Sequence, residues 1–537
     1  MPVVLVMAPV LPGLWWAAAP LADTSVWAAL WADNQWPQAL QATLSSAGVG
    51  TALACVLAGG AAMLTFPGAG WAKLTRRLPL LLALPHAAFA VGLFFLLSPS
   101  GWLARLLAYP LGWAAPPDWV TVQDPHGLAL AVALALKESW FLLWVLAAVM
   151  GEQGTARHML VARTLGHGTA SAWRHVLWPQ LLPRMAWPLA AVWGYSLSVV
   201  DMAVVLGPGT PPTAAVLAWQ WLTDPNPATQ AKGQAAAWAV LGLFGAGVAL
   251  ARLAWTALKR WQPYPVGRAE RRAAVTLPET GNTSGHNAAA WQLTQAALWM
   301  PGVLVVAALA LWSLAGSWFF PAVLPTDLTL TTWQQADLSP MLTTLWLATA
   351  TTLLCLPAAL CWLEWGPPRL NALVFAPLVL PALPLVAGQY HALLRSGFDG
   401  SAAGLIWSHA LWVLPYMVLT LVGAYRAFDA RLLVSARALG CTRLQACLRV
   451  KWPLLARPIL ATFAVGFAVS VAQYLPTLFA GGGRFATVTT EAVALSAGGY
   501  RRVLAVQALL QIALPVAAFA MAAWIPTWLA RHRKGLR

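Results

Sequence analysis

The sequence predicts an all-α integral membrane protein of about twelve transmembrane helices, arranged as two homologous six-helix halves. Three observations carry that expectation. The 537 residues are 60% apolar and only 9% charged, with a mean hydropathy of +0.67, whereas a soluble domain carries about 25% charge. The apolar letters come in runs of roughly 20, the length a helix needs to cross hydrocarbon. The third observation is an internal repeat. Together these exclude a cytosolic enzyme, a disordered chain and a disulfide-stapled secreted module.

Polar breaks delimit twelve candidate spans, at 1–20, 37–64, 78–97, 127–150, 185–206, 234–258, 293–316, 339–362, 371–392, 404–424, 459–480 and 503–530. Met1 to Pro20 is apolar with no basic residue ahead of it. It reads as a first membrane helix rather than a cleaved signal peptide, with its basic leader expected upstream of this start. An even number of spans puts both termini on one side. The loops on that side (65–77, 151–184, 259–292, 363–370, 425–458 and the tail 531–537) hold 24 Lys and Arg, and the opposite loops hold 6. That bias places the termini and the basic loops in the cytoplasm. The net charge of +16 is therefore read as loop asymmetry, and no nucleic-acid partner is expected. The five cysteines and nine histidines show no metal-ligand spacing, so neither a disulfide framework nor a metal site is expected.

Two of the cytoplasmic loops, 151–184 and 425–458, are longer than a turn needs, and they repeat at a fixed offset. A shift of 274 aligns Ala162, Arg163, Leu165 and Gly166 with Ala436, Arg437, Leu439 and Gly440. The same shift aligns Val176, Trp178 and Pro179 with Val450, Trp452 and Pro453, and persists without a gap to Thr213/Thr487. Weaker echoes lie upstream: LALP at 82–85 with LVLP at 378–381, Gly92 with Gly388, and ATL at 42–44 with TTL at 343–345. Between the halves, 259–292 is rich in Pro, Gly, Asn and charge. It reads as a solvated linker joining a first half (1–258) to a second (293–537).

Each repeated loop opens with a helix-favouring stretch, breaks at Gly166 or Gly440, and runs about two more turns to Trp-Pro. Glycine permits a sharp turn between two short helices. Pro179 and Pro453 suit the first turn of the next helix, where no amide partner is needed. Trp178 and Trp452 suit the headgroup level, and Arg163 and Arg437 would project into the cytoplasm. Two equivalent helical elbows suggest a surface that docks two copies of one partner. Basic helices attracted to anionic lipid would need the charge but not the shared Gly-to-Pro register.

The spacing from Gly166 through Val176 to Pro179, and from Gly440 through Val450 to Pro453, resembles the EAA loop of ABC importer permeases. The likeness covers nearly the whole chain, as a fused two-half permease like those for thiamine, ferric iron and polyamines. YLPTLFAGGGRFATVTTEAVAL looks most like thiamine-type relatives. The resemblance implies that each loop is a coupling helix seated in a groove of an ATP-binding subunit. It further implies two copies of that subunit, a periplasmic solute-binding protein and residence in a bacterial inner membrane. The chain departs from the pattern where the triplet reads Leu160-Val161-Ala162 and Val434-Ser435-Ala436, without its Glu. No lysine stands in a phosphate-cradling Gly-x4-Gly-Lys-Ser/Thr motif. ATP and Mg²⁺ are therefore expected on the partner, with no cofactor and no catalytic residue in this chain.

Ionisable groups at membrane depth are costly and face a cavity or a partner. Glu138, beside Lys137 in the fourth span, and Asp201 in the fifth are candidates to line a path for a thiamine-like cation; a structural ion pair is the alternative. Gln389 and Tyr390 in the ninth span, and Gln473 and Tyr474 in the eleventh, could offer aromatic faces to a cation or simply seal helix contacts. A secondary transporter driven by an ion gradient also fits two six-helix halves. For an integral membrane enzyme no nucleophile–base or metal constellation stands out.

Overall fold

The computed structural model describes residues 2–152, 154–261 and 285–531. Residues 262–284 of the expected linker and 532–537 of the tail lie outside the described residues. Among the described residues the chain is helical, with one isolated antiparallel bridge, Ala315 to Leu328. In chain order the helices that carry the argument are α1 (Val10–Ala18), α2 (Trp36–Thr65), α3 (Ala69–Leu82), α4 (His86–Leu97), α5 (Leu128–Glu152) and α6 (Thr155–Thr164). There follow α7 (Trp178–Ser198), α8 (Asp201–Leu206), α9 (Pro227–Trp261), α10 (Gly285–Leu314), α11 (Ser339–Trp365) and α12 (Asn371–Val379). The last six are α13 (Ala382–Ser396), α14 (Ala402–Ala427), α15 (Arg431–Ala438), α16 (Ala456–Val471), α17 (Leu475–Gly481) and α18 (Arg501–Arg531).

The twelve apolar runs do not all become straight crossings. Eight helices among the described residues are long and apolar enough to span, and two more candidates are bent pairs, by 104° and 80°. The ninth run, 371–392, is the first bent pair: it turns at Leu380-Pro381, where proline removes an amide and restricts the residue before it. The eleventh lies in the second, Arg443–Leu454 with Ala456–Val471. The first run, 1–20, is divided between Pro2–Met7 and α1 and is too short to span in one piece. The fifth, 185–206, ends as α7 at Ser198, becomes extended at Val199 and restarts as α8. An apolar count registers the letters but not the local breaks.

The repeat extends to individual hydrogen bonds. Thr43 Oγ1 accepts from the Ala214 amide at 2.8 Å, and Thr344 Oγ1 accepts from the Val488 amide at 3.0 Å. Each threonine thereby satisfies a free amide at the start of a short helix, Ala214–Leu222 or Val488–Ser496. α2 buries Ala39, Thr43, Ser46, Ala47, Gly50, Ala54, Ala58 and Ala61, a stripe of small residues at helical spacing that lets backbones approach closely. The breaks repeat as well: α4 follows Pro85 and α13 follows Pro381, while α8 and α17 each restart after an interruption.

Each half gives its first helix to the other. α10, which opens the second half, packs on α4, and α1 packs on α13. Both crossings are close at a glycine. A Cβ on Gly92 would run into Val305 Cγ1 and lie 3.0 Å from the Val305 carbonyl oxygen; on Gly388 it would meet the Leu14 amide at 3.0 Å. Gly92→Ala should therefore destabilise the chain by about 1–3 kcal/mol, the usual cost of overpacking. Gly245→Ala, with open space around its Cβ, serves as the control. Thermal unfolding of the purified chain in detergent reads the difference, and equal midpoints would contradict it.

Asp33 and Lys232 form a 2.7 Å ion pair, with the ammonium 4.1 Å from the Trp221 ring centroid. Partial desolvation works against the Asp33 charge, but the Lys232 ammonium and the Gln35 amide outweigh it and hold the carboxyl below its ordinary range.

Candidate functional site

The two elbows fold alike. α6 and α15 each end in a Schellman motif: Gly166 N–H donates to Arg163 O at 3.0 Å and His167 N–H to Ala162 O at 3.0 Å. In the second elbow Gly440 donates to Arg437 O at 3.0 Å and Cys441 to Ala436 O at 3.1 Å. The motif needs a left-handed residue, and Gly166 and Gly440 have φ of 88° and 89°. A second short helix follows (Thr169–Ala172 or Arg443–Ala446), then a wider turn (Trp173–Leu177 or Cys447–Lys451) leading into Trp178-Pro179 or Trp452-Pro453. Both prolines stand in the first turn of the following helix, where their missing amide costs nothing.

Burial separates what holds an elbow from what it presents. Ala162 and Ala436 are buried, and Val176 and Val450 are half-buried. Pro179 is half-buried and Pro453 exposed. Arg163, Arg437, Leu165 and Leu439 all face outward, with Leu165 67% and Leu439 86% exposed. Leu160 and Val434 are equally open. Neither elbow carries an acid between residues 153 and 184 or between 430 and 458. Each presents an exposed apolar ridge flanked by arginine.

A second assembly lies at the broken helices. Glu138 is the eleventh of the 25 residues of α5, so about 15 Å along it. His86, the first residue of α4, brings Nε2 to 3.5 Å from Glu138 Oε1 and packs at a tilt against Tyr195, 4.9 Å between centroids. Asp201 opens α8 and is 9% exposed. The Tyr195 hydroxyl points at Met202 Sδ, 3.9 Å away and next to Asp201. His86 and Tyr195 thus link Glu138 on α5 to the start of α8, where Asp201 stands. Lys137 turns away: Nζ donates to the Leu84 carbonyl at 2.6 Å and lies over Trp140, satisfying an acceptor freed at the α3–α4 break.

The remaining sequence candidates fall elsewhere or act locally. Gln389 is fully buried, donating to Ser408 O at 3.1 Å and accepting from Ser408 Oγ at 3.3 Å, a bond between α13 and α14. Tyr390 packs on Phe479 and, with His391 and Gln234, lines a separate cavity of about 60 Å³. Gln473, in the break between α16 and α17, donates back to Val469 O at 3.2 Å. Tyr474 lies 6.2 Å from Trp219 between ring centroids. His86 and Tyr195 were not among the sequence candidates. A histidine directly after Pro85 at a break is the one signal that could have pointed to them.

A polytopic helical bundle with a repeated pair of exposed elbows and buried carboxylates at its interrupted helices is built as a multi-pass membrane protein. The chain is 39% identical over all 537 residues to the inner membrane ABC transporter permease protein YnjC of Escherichia coli (strain K12), covering 97% of that protein. It belongs to the inner membrane ABC transporter permeases. The spermidine/putrescine transport system permease protein PotC of the same organism is 22% identical over 117 residues, which is 22% of this chain and 44% of PotC. No family model matches the chain. Permeases of this kind are transport subunits that work with ATP-binding subunits and a solute-binding protein.

Proposed function

We propose that this chain is the transmembrane permease subunit of a binding-protein-dependent importer for a small thiamine-like organic cation. In this reading residues 1–258 and 293–537 are its two halves. The observation that carries the reading is the pair of elbows, alike in sequence and in backbone down to a glycine φ of 88° and 89°. Two copies of one ATP-binding subunit would each seat an elbow, on the cytoplasmic side given by the Lys and Arg bias, with both termini on that side. Those subunits would bind ATP and Mg²⁺, and a periplasmic binding protein would deliver the solute. ATP moves the permease only if the subunits bind one conformation better than the other. The elbows, continuous with α7 and the α16 helix through short turns, are where that difference enters the bundle.

The cationic solute is supported by Glu138, Asp201 and the nearby Tyr195, since carboxylates and aromatic faces both attract a desolvated cation. The test is reconstitution in lipid vesicles with and without the ATP-binding subunit and the binding protein. Uptake of labelled thiamine should require both partners and ATP, and the purified complex should contain two ATP-binding subunits per chain. Gradient-driven uptake by the chain alone would instead establish a secondary transporter.

A further inference from the structure

The two elbows match in backbone but are fastened to the bundle by different chemistry. At the second, Lys451 Nζ lies 2.6 Å from Glu364 Oε2, with both side chains at least nine-tenths buried. The ammonium also sits 4.0 Å from the Tyr425 ring centroid, and the Tyr425 hydroxyl accepts from Trp452 Nε1 at 2.6 Å. Arg443, from the short helix of the same elbow, reaches Glu364 Oε1 at 3.8 Å and the Glu364 carbonyl at 3.4 Å. Glu364 stands near the end of α11, and Tyr425 near the end of α14.

At the first elbow the shift of 274 puts Leu177 where Lys451 stands, Trp173 where Cys447 stands and Thr169 where Arg443 stands. Leu177 and Trp173 are fully buried. Trp173 meets Phe66 just beyond α2 at 6.1 Å and Trp178 at 5.0 Å, and Phe66 meets Trp71 at 5.8 Å. Trp173 Nε1 is buried without a hydrogen-bond partner, and among the described residues no ion pair ties this elbow to the bundle. The difference matters because apolar contacts are non-directional and tolerate sliding, whereas a buried hydrogen-bonded ion pair fixes register and leaves an uncompensated charge if it parts.

We infer that Glu364 and Lys451 are positioning residues that lock the second elbow rigidly to α11 and α14, while the first elbow moves on a greasy aromatic seat. The importer therefore has one stiff and one compliant coupling joint. The part of this inference that concerns coupling rests on the proposed function; the part that concerns stiffness does not.

Two readouts test it separately. In the full chain in lipid nanodiscs, with native cysteines replaced by alanine, a spin label is placed on the second elbow at Val434→Cys or on the first at Leu160→Cys. Lys451→Met should mobilise the label at 434 and leave that at 160 unchanged. Lys451→Arg and the exchanged pair Glu364→Lys with Lys451→Glu should restore the wild-type spectrum at 434. In the reconstituted complex, Lys451→Met should reduce solute imported per ATP hydrolysed at least fivefold, and the exchanged pair should recover most of it. An unchanged label at 434, or equal changes at both elbows, overturns the stiff joint. A stiff joint with an unchanged import-to-ATP ratio overturns its coupling role. Absence of ATP-driven uptake by the wild-type complex would count against the proposed function and leave the label result standing. Should Lys451→Met fail to accumulate, Lys451→Arg and the exchanged pair still decide, because a pair that only filled space would not tolerate reversal of both charges.

Discussion

Valine at both Gly166 and Gly440 is expected to abolish ATP-driven uptake while leaving the chain in the membrane. At each glycine the space around an added Cβ is empty within 4 Å, so the effect is conformational rather than steric. A φ near +88° costs an L-residue roughly 1–2 kcal/mol, and a β-branched one at least that. The elbow can escape the strain only by giving up the Schellman bonds from residues 166, 167, 440 and 441. Across the two sites that is about 2–4 kcal/mol, enough to depopulate the docked shape roughly 30-fold or more. Asparagine visits the left-handed region more readily, so Gly→Asn at both sites should retain most of the activity. Retention of the ATP-binding subunit on the affinity-purified chain measures the loss directly. Undiminished retention and uptake in the valine double variant would remove the elbows from the coupling route.

The second large effect is expected from neutralising the charge at the interrupted helices. Asp201→Asn combined with Glu138→Gln should lower uptake of labelled thiamine at least tenfold, with attachment of the ATP-binding subunit unchanged. A cation 4 Å from one carboxylate gains about 4 kcal/mol at an effective dielectric near 20, and only about 1.4 kcal/mol is needed for a tenfold loss. Each substitution keeps side-chain size, so the bundle is spared. Gln389→Leu, which removes a bond between α13 and α14, should instead affect stability with little change in solute preference. Wild-type uptake in the doubly neutral variant would show that these carboxylates serve the fold and not the solute.

Much of this arrangement was legible in the sequence, and the reasons differ by residue. The offset of 274 located both elbows because a left-handed turn and a first-turn proline each demand one residue type. The faint echo of ATL at 42–44 in TTL at 343–345 acquires a physical cause: Thr43 and Thr344 both cap a short helix 171 or 144 residues away. What escaped was the interior geometry. Val199 and Val200 are as apolar as any helical pair, so the break between α7 and α8 left no mark on hydropathy. Pro85 and Pro381 did leave a mark, yet their runs looked long enough to cross unbroken. His86 and Tyr195 come from separate helices, and only the folded chain brings them to Glu138. The Glu364–Lys451 contact joins residues 87 apart, beyond any local pattern.

The exchange of opening helices between the halves bears on biogenesis. α1 leaves the ribosome some 370 residues ahead of the helix it packs on, α13. Until then the Gly13 face, which closes on the Gly388 carbonyl, must wait against lipid or an insertion factor. A polypeptide that stopped after α9 would carry an orphaned leading segment and lack α10 as the cover for α4. The covalent tether thus ensures that the two reciprocal partners are always made together, in equal number and in the same patch of bilayer.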